Sequence, residues 1–378
     1  MIVVMKADVG PDSPEVDRVV EMARRYPDVQ TQVRAIQGTT RMLTEIYLLG
    51  ATAGVPKDIF EEFPAVEKVI RIRARYRAIG RHDGEAEAVG FEYRGLQFTQ
   101  DSLHLFAGLC AVDTRENVAS VFRSLQAAGL QTARAGAYKP RTSPYDFQGH
   151  GAACLPYVFE LAGKYGIRVL AMEVLRESHV DEIREALERT GHPTGVMLQI
   201  GTRNAQNFEL LKAVGQQDEF PVLFKRGMGI PLEESLNAAE YIASSGNPRI
   251  IFCLRGMRSE LGDPHRNFVD FAHVPVVKRL TRLPVGIDPS HSVGKKVKGP
   301  DGLLDIFHVT AQGVVSGANL VLVDFHPQPD QALCDGPQAL LIEELPHFVE
   351  DVQIVREALL ARRRVAERYA APPAVAAG

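Results

Sequence analysis

The chain has 378 residues, 45% of them hydrophobic and 24% charged, with 43 Lys and Arg against 47 Asp and Glu for a net charge of −4. That balance excludes a wholly disordered chain and a basic nucleic-acid-binding surface, and the length suits one large and one small domain. No apolar run reaches the roughly 18 residues of a membrane span, and the start, MIVVMKADVGPDSPEVD, lacks a basic n-region and a cleavage site, so a soluble cytoplasmic protein is expected.

Residues 1–80 predict a small α+β unit. A β-rich run covers 2–6. Asp12 or Ser13 can cap a helix with Pro14 in its first turn and Val16, Val19, Val20 and Ala23 at helical spacing. Strands are expected over 29–36 and 42–49, joined by a Gly-containing turn over 37–40. A short helix over 56–62 and a strand over 65–72 complete a βαββαβ order, the ferredoxin-like pattern. Residues 81–100 read as a linker or extended bridging segment.

Strand candidates then recur at 103–110, 132–135, 167–172, 195–200, 222–225, 249–253, 285–288 and 320–324. Helical stretches lie between most of them, for example 117–128, 180–189 and 232–244. Eight βα units within 101–368 predict a (β/α)8 TIM barrel. A doubly wound sheet is the runner-up, but no GxGxxG follows a first strand. The Ala/Pro-rich end, 369–378, reads as a flexible tail. The four cysteines, Cys110, Cys154, Cys253 and Cys334, are far apart and form no CxxC pair, so they read as buried apolar residues or, less often, metal ligands.

In such a barrel the chemistry gathers at the C-terminal ends of the strands. Two groups of residues fall there. Arg134, Lys139, Arg141, Arg203, Lys225 and Arg255 put six positive charges at one mouth of a net-acidic chain. Converging Lys and Arg suit phosphate and carboxylate, and like charges repel unless an anion lies between them. The bland alternative is that each pairs with a surface carboxylate. The second group is Cys110, His291, Asp324 and Asp335. A thiolate, an imidazole and two carboxylates would make a mixed site for a divalent transition metal such as Mn, Fe, Co or Zn. Coming from four separate loops, they could equally be packing and hydrogen-bonding residues.

The runs GAYKPRTSPYDFQG (136–149), LQIGTRNAQNFELLK (198–212), LFKRGMG (223–229), IDPSHSVG (287–294) and VDFHPQPDQALCDGPQAL (323–340) resemble, in order, the motifs of type I 3-deoxy-D-arabino-heptulosonate 7-phosphate (DAHP) synthases. The resemblance covers about 100–365. The first unit resembles the ferredoxin-like extension of some bacterial members, where it serves feedback regulation by aromatic amino acids. The related 3-deoxy-octulosonate 8-phosphate synthases share the barrel but usually carry an Ala-Asn-Arg-Thr-Ser type sequence where this chain has Lys139-Pro140-Arg141-Thr142-Ser143.

The resemblance implies a metal-dependent condensation of phosphoenolpyruvate with D-erythrose 4-phosphate and water. The products would be DAHP and phosphate, at the first step of the shikimate pathway. It places Arg203 and Lys225 on the phosphoenolpyruvate phosphate and Arg134, Lys139 and Arg255 around its carboxylate. Lys139 is also a candidate proton donor, Arg141 and Thr142 would meet the aldose phosphate, and Cys110, His291, Asp324 and Asp335 would hold Mn²⁺ or a similar ion. It also implies a homo-oligomer. The first domain would either bind an aromatic amino acid between subunits and close over the barrel mouth, or only stabilise the assembly.

Three departures stand out. Asp324 occupies the position of a usual Glu, Leu109-Cys110-Ala111 replaces Pro-Cys-Ser, and Cys253-Leu254-Arg255-Gly256 replaces Cys-Glu-Arg-Gly. They keep open a sibling synthase that uses another aldose phosphate or aldehyde. A catalytically silent, metabolite-binding barrel is the third reading.

Overall fold

The structure is a computed structural model, and it describes all residues except 38–41, 72–75, 82–89, 261–263 and 371–378. The expected turn after Gln37 and most of the expected tail therefore lie outside the described residues.

The first unit consists of β1 (Ile2–Met5), α1 (Pro14–Arg24), β2 (Val29–Gln37), β3 (Met42–Gly50), α2 (Asp58–Glu61) and β4 (Val66–Ile70). Its antiparallel sheet has the order β2-β3-β1-β4, with Val3 opposite both Ile46 and Val69. Side chains alternate along β1 because the strand period is two. Val3 and Met5 join Val16, Val19 and Ala23 of α1 in one core, while Ile2 and Val4 lie with Tyr47 and Ile70 on the other face. Pro14 opens α1, where a missing N–H costs nothing.

The next element falls within the segment expected as a linker or extended bridge. Within 81–100 lies a hairpin of β5 (Phe91–Tyr93) and β6 (Leu96–Phe98). Arg94 and Gly95 turn it with φ of 53° and 73°, the left-handed pair that a two-residue hairpin needs. Phe91 and Phe98 are buried and stack at 5.1 Å. They join Phe106, Val169, Met197, Leu223, Ile251 and Leu322 in a core that fills the barrel from its N-terminal end.

The barrel follows. Its strands are β7 (His104–Leu109), β8 (Thr132–Ala135), β9 (Val169–Val174), β10 (Gly195–Ile200), β11 (Val222–Lys225), β12 (Ile250–Leu254), β13 (Val285–Ile287) and β14 (Leu320–His326). Each pairs in parallel with the next, and β14 closes on β7 through Leu320↔His104 to Asp324↔Gly108. Between them run α3 (Arg115–Ala127), α4 (Leu155–Lys164), α5 (Ser178–Thr190), α6 (Phe208–Gly215), α7 (Leu232–Ser245), α8 (Val274–Leu280), the short α9 (Pro289–Val293) and α10 (Asp305–Val315), and α11 (Leu345–Tyr369) ends the chain's described part. The fold is thus the expected TIM barrel with an antiparallel N-terminal sheet. Nearly every strand residue is buried, as expected where both faces of a parallel sheet are covered.

The first unit docks on the N-terminal end of its own barrel, not over the mouth. Arg282, in the turn before β13, donates to Glu45 Oε1 at 2.8 Å, and Tyr47 donates to Glu45 Oε2 at 2.6 Å. All three are 2% exposed or less. Arg34 donates to the carbonyls of Ala243 and Ser244, and Glu240 accepts from the backbone N–H groups of Ala78 and Ile79.

Candidate active site

The C-terminal ends of the strands converge on a cleft lined by Lys139, Arg203, Lys225, Arg255, His291 and Asp335, with Pro140, Arg141, Glu173, Thr202, Arg266 and Cys334 around them. The expected cations all reach this mouth, but they are not six free charges. Arg134 on β8 pairs with Asp324 on β14, and Lys139 Nζ lies 3.3 Å from Glu173 Oε2. Lys225 Nζ lies 2.6 Å from Asp288 Oδ2. Three of the six are therefore neutralised by buried carboxylates of the protein itself, a correction to the idea that only a ligand keeps them together.

The other three face the cleft. Arg141 donates to Cys334 Sγ at 2.7 Å and pairs with Asp146 at 3.3 Å. Arg203 donates to Thr142 Oγ1 at 3.4 Å. Arg255 follows β12 directly and is 3% exposed. Its contact is with Met228 Sδ at 3.9 Å, and among the described residues its Nε has no hydrogen-bond partner. Burial pushes this guanidinium below the usual arginine range. A buried, unpaired cation is costly unless an anion completes it.

Asp288 organises the adjoining wall. Its carboxylate caps α9 by accepting from His291 N–H at 3.0 Å, and it also accepts from His291 Nδ1 at 3.0 Å. Pro289 at the first turn fixes this short helix. Burial disfavours the imidazolium, but Asp288 outweighs it and lifts His291 to about 10. With Nδ1 held by Asp288, Nε2 points at Cys110 Sγ (3.9 Å) and Asp335 Oδ2 (3.6 Å). An imidazole fixed through one nitrogen presents the other as a ligand.

Cys110, just past β7, sits among His291, Asp335, Arg134, Lys139 and Cys334. Hydrogen bonding with Cys334, burial and nearby Asp324 hold its thiol well above the usual range. Burial works against the Lys139 charge, yet Cys110 and Glu173 raise its ammonium above the usual lysine range. Asp335 stands at φ 54°, a left-handed turn that aims its carboxylate inward. Burial opposes its charge, but His291 and Lys139 keep it well below the carboxylate range. Donor atoms of Cys110, His291 and Asp324 all lie within 4.8 Å of one another, as do those of Cys110, Cys334 and Asp335. Sulfur, nitrogen and oxygen donors so close together fit a divalent transition ion.

Sequence reasoning gave no role to Glu173, Asp288, Gly201 or Gln338, and read Cys334 only as a buried apolar residue or, less often, a metal ligand. Glu173 and Asp288 were visible only as strand-end residues, and their roles as counter-charges depend on neighbours from other strands. Gly201 leaves room for Glu173, since a Cβ there would collide with its Oε1. Gln338 donates to Asp324 Oδ2 at 2.5 Å, and Cys334 faces the cluster one residue before Asp335.

An eight-stranded barrel that closes its N-terminal end, and gathers buried cations beside a thiol, imidazole and carboxylate cluster at the other, has the arrangement of a TIM-barrel enzyme. The chain belongs to the DAHP synthetase I family, whose pattern matches residues 91–361. It is 35% identical over 359 residues to phospho-2-dehydro-3-deoxyheptonate aldolase of Thermotoga maritima, covering 95% of this chain and 98% of that protein. A crystal structure of that DAHP synthase superposes with a TM-score of 0.68 at 32% identity, over 95% of this chain and 97% of that one. A 2-dehydro-3-deoxyphosphooctonate aldolase of Syntrophobacter fumaroxidans is 25% identical over 71% of this chain and 93% of its own. As a member of this family the chain is an enzyme, a transferase. Among the described residues no helix is long and apolar enough to cross a membrane.

Proposed function

We propose that this enzyme joins phosphoenolpyruvate to D-erythrose 4-phosphate with addition of water, yielding DAHP and phosphate at the entry to aromatic biosynthesis in the cytoplasm. The observation that carries the reading is Arg255, a buried guanidinium with no ion-pair partner among the described residues, facing a cleft that Lys139, Arg203 and Lys225 also line. Such a place is made for a small, doubly anionic substrate.

Arg203 and Lys225 bind the phosphoenolpyruvate phosphate, and Arg255, Lys139 and Arg134 surround its carboxylate. Arg141 and Thr142 take the aldose phosphate at the rim. Holding both anions in one cleft makes the encounter effectively intramolecular. The enol carbon of phosphoenolpyruvate then bonds to the aldehyde carbon, and the aldehyde oxygen gains negative charge. Lys139 keeps its proton at neutral pH and can deliver it from Nζ to that oxygen. Water adds at the carbon that carries the phosphate, and phosphate leaves. Asp288 and Glu173 keep Lys225 and Lys139 in place before substrate arrives.

Cys110, His291, Asp324 and Asp335 would hold a divalent transition ion such as Mn²⁺. When bound, that ion would supply Lewis-acid polarisation of the aldehyde or of the attacking water. The first domain would carry an aromatic amino acid effector in a homo-oligomer. An effector acts only by binding two states unequally, so inhibition of the whole chain by tyrosine or phenylalanine tests this part.

The main test is phosphate release from phosphoenolpyruvate and erythrose 4-phosphate by chelator-stripped enzyme, with Mn²⁺, Co²⁺ or Zn²⁺ restored. Metal-dependent release is expected. Folded enzyme that binds phosphoenolpyruvate but releases no phosphate with any metal would replace erythrose 4-phosphate with another aldehyde.

A further inference from the structure

We propose that Cys334 is itself a metal ligand in this enzyme, so that the ion is held by Cys110, His291, Cys334 and Asp335, with Asp324 displaced to a supporting position. The inference rests on the metal-dependent reading above and sharpens it.

The first observation is geometric. Cys110 Sγ and Cys334 Sγ are 4.0 Å apart, and each lies 3.2 Å from Asp335 Oδ2. His291 Nε2 lies 3.9 Å from Cys110 Sγ and 3.6 Å from Asp335 Oδ2. Ligand bonds of about 2.0–2.3 Å around a tetrahedral ion put the donor atoms roughly 3.3–3.8 Å apart. Five of the six edges of such a tetrahedron are thus present to within a few tenths of an ångström.

The second observation concerns Asp324. It is fully buried, one of its oxygens pairs with Arg134, and the other accepts from Gln338 Nε2 at 2.5 Å. Its nearest approach to His291 is on the Nδ1 side, at 3.8 Å, away from the ring nitrogen that faces the sulfurs. An aspartate is one methylene shorter than the glutamate usual at this position. Its donor atom lies within 4.8 Å of those of Cys110 and His291, but both oxygens are already committed to Arg134 and Gln338.

The third is charge. Each sulfur has its own cation, Lys139 Nζ at 3.3 Å from Cys110 and Arg141 NH1 at 2.7 Å from Cys334. Two thiolates and a carboxylate around a divalent ion leave one negative charge, and Lys139 and Arg141, which also contact Glu173 and Asp146, lie beside it. Two thiolates also make the donor set softer, shifting preference from Mn²⁺ toward Zn²⁺, Co²⁺ or Cd²⁺.

The test is Co²⁺ binding to the whole, stripped chain, read by the sulfur-to-cobalt charge-transfer band in the near ultraviolet. The band per bound cobalt should fall by about half in Cys334→Ser, by a similar amount in Cys110→Ser, and disappear in the double variant. Cys334→Ser should also weaken Cd²⁺ binding by more than about tenfold, since even lost outer partners cost that much, while Mn²⁺ affinity changes far less. A Cys334→Ser band equal to wild type, with Cys110→Ser abolishing it, would overturn the proposal and leave the four-residue site of the functional reading intact. Absence of stoichiometric cobalt binding by the wild-type chain would overturn both. Circular dichroism of each variant separates a lost ligand from a lost fold, and Asp324→Asn, which should keep the full band, supplies a second check.

Discussion

The two ends of the barrel bury charge in opposite ways. At the N-terminal end, Arg282, Glu45 and Tyr47 form a closed group under the first domain, beside the apolar plug of Phe91 and Phe98. At the C-terminal end, Arg134, Lys139 and Lys225 are paired, but Arg255 lines the cleft with no ion pair among the described residues. One end satisfies its charge internally and gains cohesion. The other leaves a charge unsatisfied and gains a place for an anion. The comparison teaches that burial alone does not mark a site; burial without a partner does.

Substitutions at the two ends should therefore separate activity from stability. The largest effect is expected for Arg255→Ala, which should lower kcat/KM by about 10²–10³, the scale for losing one charge-stabilising donor. Its urea midpoint should hold or rise, since an uncompensated buried cation has gone. A kcat/KM within tenfold of wild type would break the comparison. Arg282→Met should do the reverse. Leaving Glu45 buried and unpaired should cost about 3–5 kcal/mol, with activity of the folded fraction retained. Adding Glu45→Gln should recover much of that loss in the same urea titration. Tyr47→Phe is milder. It removes one hydrogen bond to a carboxylate that keeps Arg282, worth about 1.5–3 kcal/mol.

The same contrast explains what could be read from the sequence. The barrel was legible because eight apolar strand runs alternate with helical ones, and βαββαβ in the first unit gave the sheet order its hydrophobic alternation supports. The hairpin at 91–98 was not. Its strands have three residues each, too few for a periodic signal, and only the Arg94-Gly95 turn between aromatic residues hinted at it. At the mouth, residue type and strand-end position flagged six cations but not Arg266, which also lines the cleft and pairs with Asp335 at 3.3 Å. Which of them are free depends on Glu173, Asp288 and Asp324 arriving from other strands, and that pairing has no local signature. Cys334 was overshadowed by Asp335 next to it, because its closeness to Cys110 spans 224 residues of chain.

The smallest net effect comes from proton binding, because here the two ends should oppose each other. His291 at the mouth is raised from 6.5 to about 10, mainly by Asp288 against the cost of burial. The folded chain then holds a proton that the unfolded chain releases, so this contribution is full below pH 6.5 and is lost as pH climbs through about 10. Lys278, at the end of α8 near the closed face, donates to the Gln100 carbonyl at 2.9 Å. Burial, with Arg363 and Arg356 close by, lowers it from 10.5 to about 7. Here the unfolded chain holds the extra proton, so stability rises with pH between about 7 and 10.5. In metal-stripped wild type the two slopes run against each other across pH 7–10. Lys278→Met should expose the falling limb set by His291, and His291→Asn the rising limb set by Lys278. Urea midpoints at half-unit pH steps read both, and two variants with the same slope would show that the ends are not titrating independently.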